Sequence, residues 1–127
     1  MSDLEHNKQV VVDFLQASFV DGEPEQAVAS HLGDRYIQHN PLVPDGAEPF
    51  IGFVHWLRGE HPELQFEIKH VVADGDLVVT HSHMSGSPSE RGQAVADLFH
   101  LENGKLVEHW DVIQEVPAES KNDNGMF

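Results

Sequence analysis

The sequence predicts an α+β domain, with helices gathered in its first half and antiparallel strands in its second. Three observations carry this. Apolar residues recur at helical spacing in the first sixty residues. From Leu64 onward the pattern changes to period two. Asn103-Gly104 then joins two strand-like arms, and tight primed turns need φ > 0 at both central positions. Helices at one end and strands at the other imply helices covering one face of a sheet.

Taken in order, Ser2-Asp3-Leu4-Glu5 has the form of a capping box, with Ser2 three residues before Glu5. Leu4, Val11, Phe14, Leu15 and Phe19 then mark an amphipathic helix from Asp3 to about Val20, ended by Asp21-Gly22. Pro24 suits the first turn of a second helix, running to about Leu32 and closed by Gly33. Tyr36 to Pro41 is a short extended segment, because the residue before a proline avoids the helical region. Pro44-Asp45-Gly46 is a turn. Phe50, Phe53, Val54 and Leu57, with Trp56 beside them, place a third helix at about Glu48–Gly59. Gln65–Ala73 and Asp76–Met84 are strands joined at Asp74-Gly75, and Ser85–Gly92 is a polar connection. The Ala94–Gln114 hairpin completes the sheet. One domain over residues 1–117 and a polar tail over 118–127 are expected.

The hairpin holds the least expected feature. Val95, Asp97, Phe99 and Leu101 share one face of its first arm; Val107, His109, Asp111 and Ile113 share one face of the second. An acid amid apolar neighbours is costly unless it is paired, hydrogen-bonded or poised in a pocket. Leu98, Trp110 and Val112 make the opposite face apolar too, although helices should cover only one side. A second copy of the chain packing there, as a homodimer, accounts for it.

Composition excludes several classes. Seven basic against twenty-two acidic residues give a formal charge of −15, which repels phosphate backbones and argues against nucleic acid. There are no cysteines, so neither a disulfide framework nor thiolate chemistry is expected, and a cytoplasmic location fits. The first residues lack the basic lead and apolar core of a signal peptide, and no apolar run approaches the ~20 residues that span a bilayer. Ten histidines are many for 127 residues, and some are expected in a site.

Four polar sets fall where a helix-covered sheet would form a pocket: His39 with Asn40, His81 with His83, Asp97, and His109 with Asp111. Leu77, Val79, His81 and His83 alternate with Val78, Thr80, Ser82 and Met84, so the two histidines point the same way, inward or outward. Removing a proton α to a carbonyl needs a base with a pKa lifted toward the working pH. Burial among Val95, Phe99, Val107 and Ile113 lifts a carboxylate, and a second carboxylate lifts one of the two further. An enolate oxygen needs donors, which Tyr36, His39, Asn40 or a neutral histidine can supply. That scheme requires neither metal nor organic cofactor.

YIQHNP followed by PDG and a phenylalanine, then DLVVTHSH, then ADLFHLENGKLVEHWDVIQ, resembles the SnoaL-like group of the nuclear-transport-factor-like superfamily. The resemblance runs from the first helix to Pro117. It implies a strongly curved antiparallel sheet forming a cone closed by three N-terminal helices, usually dimeric. In that family's polyketide cyclases an aspartate on the last strand is the general acid/base of an aldol ring closure, and Asp111 matches it. A histidine on the preceding strand falls at Asp97, and an asparagine of the short strand falls near His39 or Asn40.

The expected catalytic set is therefore Asp111 assisted by Asp97 and His39. Tyr36, Asn40, Trp56, His81, His83, Phe99 and His109 are expected to contact a small hydrophobic carbonyl substrate. Two other readings fit the same residues. One is a non-catalytic pocket that binds a small apolar ligand. The other is a metal-dependent enzyme built on His39, His81, His83 and an aspartate.

Overall fold

The computed structural model describes residues 3–127. Three helices, α1 (Leu4–Leu15), α2 (Pro24–His31) and α3 (Ala47–Glu60), lie on a five-stranded sheet. Its strands are β1 (Leu32–Gln38), β2 (Gln65–Asp74), β3 (Leu77–Ser85), β4 (Gln93–Glu102) and β5 (Lys105–Glu115), in the spatial order β1-β5-β4-β3-β2. β2 to β5 pair antiparallel, while β1 runs parallel to β5 at the sheet edge. The expected α+β class is what forms.

Ser2 of the expected capping box lies outside the described residues. Asp3 is the N-cap of α1, its side chain accepting from the backbone N–H of His6 at 3.1 Å. The first helix does not run uniformly to Val20. After Leu15 it widens into a π-helical stretch, Gln16–Val20. Phe19, on that stretch, stacks on Phe66 at 5.2 Å and meets Phe50 edge-on at 6.1 Å.

Gly33 does not act as a left-handed helix cap. Leu32 already has extended dihedrals and opens β1, four residues earlier than the expected strand. Gly33 is instead a close-approach residue, since a Cβ there would meet Val107 Cγ1 at 2.9 Å. Asn103 and Gly104 both take positive φ, 52° and 75°, as the primed turn requires. Near this turn the register shifts, so that Leu101 pairs with Leu106 while His100 pairs with Glu108. Leu106 and Val107 are both buried at that bulge.

Phe14 anchors the core between helices and sheet. It stacks on Phe50 at 5.0 Å and lies 6.1 Å from Phe99 and 6.3 Å from Tyr36. Val10, Val11, Val54, Val78, Leu101 and Leu106 close around it. On the sheet's other face Val72 and Val112 remain exposed. No helix among the described residues is long and apolar enough to cross a membrane.

Candidate functional site

The site grows from the register of the last three strands. Thr80, Asp97 and Asp111 stand directly opposite one another across β3, β4 and β5, and Phe99 stands opposite His109. All face the helices, because Val78, Thr80 and Ser82 are the fully buried side of β3. Parallel pairing of β1 with β5 sets Gln38 beside His109, and the chain beyond it brings Asn40 to Asp111.

Around them is a cavity of about 60 Å³ with largely aromatic walls, Phe14, Phe19, Tyr36, Phe50, Phe53, Phe66 and Phe99. Asn40, Asp97, His109, Asp111 and Gln38 form its polar end. A larger surface groove of about 520 Å³, lined in part by His61, Glu90, Arg91 and Glu115, meets the cavity at Leu57 and Met84 and contains neither aspartate.

The polar groups interlock. His109 Nε2 is 2.8 Å from Asp97 Oδ1 and 3.9 Å from Asp111 Oδ2. His109 Nδ1 is 2.6 Å from Gln38 Oε1. Asn40 Nδ2 donates to Asp111 Oδ2 at 2.9 Å. Burial pushes the Asp97 carboxyl above its ordinary range, the His109 contact opposes this, and the nearby Asp111 charge adds to it. Burial likewise lifts the Tyr36 hydroxyl well above its usual value, reinforced by Asp97 and Asp111.

Asp97, His109 and Asp111 each present one donor atom, all within 4.8 Å of one another, a spacing that a small cation could bridge. Here His109 Nε2 is hydrogen-bonded to Asp97 Oδ1 while Asp111 Oδ2 accepts from Asn40, which is an arrangement for holding and moving protons. Two carboxylates and an imidazole beside an apolar cavity can take a proton from carbon and steady the charge that develops on oxygen.

Of the residues expected in the site, Asp97, Asp111, Tyr36, Asn40, Phe99 and His109 line the cavity. Four do not. His39 is on the outer side, its ring flat against Trp110 at 4.8 Å and its Nε2 donating to Glu108 at 2.7 Å. Trp56 faces outward from α3 with 57% of its surface exposed. His81 and His83 lie on the outer face of β3, where the Phe127 ring packs on them at 5.6 and 4.4 Å. His81 Nδ1 contacts His70 Nδ1 at 3.1 Å, and His83 donates to the backbone oxygen of Arg91. Outward placement corrects the expectation that these two histidines touch substrate. It also separates them from Asp97 and Asp111, so the metal set built on His39, His81, His83 and an aspartate does not assemble.

Gln38 was missing from the expected set, although a signal for it exists. Tyr36, Gln38 and Asn40 alternate along one extended segment, so a face containing Tyr36 and Asn40 contains Gln38 and excludes His39.

The fold recurs in solved structures. TsrD from Streptomyces laurentii superposes with a TM-score of 0.71 at 24% identity, over 89% of this chain and 91% of that one. A candidate SnoaL-like polyketide cyclase from Jannaschia sp. CCS1 gives 0.71 at 20% identity, with 89% and 91% covered. An NTF-2 like protein of unknown function from Burkholderia xenovorans LB400 gives 0.68 at 21%, with 91% and 88% covered. A search of curated proteins finds no match. The family model described as SnoaL-like polyketide cyclase matches residues 9–121, and the chain belongs to that family.

Proposed function

We propose that this chain is a cyclase- or isomerase-type enzyme for a small hydrophobic carbonyl compound, working by proton transfer without a metal or organic cofactor. Asp111 is the base that removes a proton from the carbon α to the carbonyl, Tyr36 is the donor for the developing enolate oxygen, and Asp97, hydrogen-bonded to His109, holds the neighbouring proton. One observation carries this reading. Two aspartates stand directly opposite each other at the end of an aromatic cavity, and burial holds the Asp97 carboxyl above its ordinary range. Carboxyl groups whose environments differ in this way divide into acid and base. The aromatic walls suit an apolar substrate body, and aldol-type ring closure and double-bond isomerisation both begin with this proton abstraction.

The test needs no knowledge of the natural substrate. A panel of cyclic ketones and 1,3-diketones is incubated in D₂O, and loss of the α-proton signal is followed by NMR. Wild type should accelerate exchange on at least one compound. Asp111→Asn should lower that rate by 10²-fold or more, the contribution of a positioned general base, while still binding the compound. Equal exchange by wild type and Asp111→Asn would leave Asp111 without the role of base. Binding with no exchange by either protein would favour the non-catalytic pocket.

A homodimer through the outer sheet face belongs to the same proposal. Val112 is 69% exposed and Val72 is 59% exposed, on the side the helices leave uncovered. Sedimentation should give twice the chain mass for wild type and a monomer for Val112→Glu; a monomeric wild type removes the dimer.

A further inference from the structure

Two amide side chains flank the His109–aspartate cluster, and the backbone itself fixes which way each amide points. Gln38 Oε1 accepts from the backbone N–H of Asn40 at 3.2 Å. A flipped amide would set two donors against each other there, so the oxygen must be the atom at that position. The same oxygen lies 2.6 Å from His109 Nδ1 and can only accept. Nδ1 must therefore carry a hydrogen, whether the ring is neutral or charged. Asn40 repeats the logic, because its Oδ1 accepts from the N–H of Leu42 at 2.8 Å. That turns its NH₂ group toward Asp111 Oδ2.

We propose that Gln38 and Asn40 are positioning residues that decide where the protons of the site sit. Gln38 keeps the neutral His109 ring in its Nδ1–H tautomer, so Nε2 is presented to Asp97 with one shared proton between them. When the ring is neutral, that proton belongs to the Asp97 carboxyl, which donates to Nε2. Asn40 occupies Asp111 Oδ2 as an acceptor, which leaves Oδ1 to receive a proton from substrate. Without Gln38 the imidazole could turn its single hydrogen toward either aspartate, and Asp97 would no longer be the defined holder of a proton. This deepens the reading of Asp111 as base, but its test is spectroscopic and uses no substrate, so either can fail alone.

The experiment is long-range ¹H–¹⁵N correlation of the ring nitrogens in ¹⁵N-histidine-labelled full-length protein between pH 5.5 and 8.5, with His109→Gln used to assign the signals. In wild type, Nδ1 of His109 should keep a protonated, pyrrole-like shift at every pH. Gln38→Glu retains an acceptor and should retain that pattern. Gln38→Leu removes the acceptor and should give an averaged shift at Nδ1, from a mixture of tautomers. Amide spectra report whether each variant keeps the fold. A pyridine-like Nδ1 in wild type overturns the proposal. So does a wild-type pattern in folded Gln38→Leu, or loss of the pattern in folded Gln38→Glu. Because wild type and Gln38→Glu are decisive by themselves, an unfolded leucine variant does not rescue the idea.

Discussion

Asp97→Asn should abolish the loss of stability that this site causes as pH rises. Asp97 is buried, and burial raises its carboxyl pKa above that of the unfolded chain. An unfolded aspartate ionises near ~3.9. Above that pH the unfolded chain releases the Asp97 proton while the folded chain still holds it, so ν_U is smaller than ν_N and stability falls with rising pH. The slope is about 1.4 kcal/mol per pH unit, continuing until the folded pKa is passed. An asparagine cannot ionise, yet its NH₂ group can replace the carboxyl hydrogen as donor to His109 Nε2. The variant should therefore cost within about 1 kcal/mol at the acidic end, the scale of one exchanged hydrogen bond. It should then gain on wild type at that slope as pH increases, until the difference levels off. Urea unfolding of both proteins at half-unit steps from pH 3.5 to 8.5 measures this. Groups that make no contact with Asp97 contribute equally in both proteins and cancel in the difference. A ΔΔG that stays flat over the whole range refutes the idea that Asp97 is held protonated by burial.

Other expectations follow from the same contacts. Phe14→Ala removes the ring that packs on Phe50, Tyr36 and Phe99 and should cost about 3–5 kcal/mol in urea unfolding, out of a total of roughly 5–15 kcal/mol. Because Phe14 also lines the cavity, the variant should accept bulkier ketones in the exchange assay; unchanged stability would place the core elsewhere. His81→Ala with His83→Ala should leave α-proton exchange within about twofold of wild type, since both rings lie on the outer face, and a loss beyond tenfold would show that this face contributes to the site.

Most of the fold was legible because its signals are local. The switch from helical spacing to alternation at Leu64 located the start of β2 to within a residue. Asn103-Gly104 set the hairpin, but continued without a bulge it would put Asp97 opposite Trp110; the register shift between His100 and Leu101 puts Asp97 opposite Asp111. The π-helical stretch after Leu15 was not legible, since its residues are also acceptable in an α-helix. The early start of β1 was missed because Leu32 and Gly33 resemble a helix ending, whereas the close approach of Val107 decides their conformation. The candidate site divided along the same line. The hairpin residues were placed well, as were Tyr36 and Asn40, whereas His39, Trp56, His81 and His83 turned out to face outward.

Alternation by itself determined which residues of this protein share a face: Asp97 with Phe99, His109 with Asp111, His81 with His83. It could not determine which face of β3 the helices would cover, because Leu77 and Val79 make one side as apolar as Val78 and Met84 make the other. Only the packed structure decided that, by burying Val78, Thr80 and Ser82. Only the structure, too, brought Gln38 and Asn40 against His109 and Asp111, 71 residues away along the chain, through a parallel pairing of β1 with β5. Short-range periodicity arises from the geometry of a few consecutive residues. The proton-holding network belongs to strands that meet only once the sheet has closed.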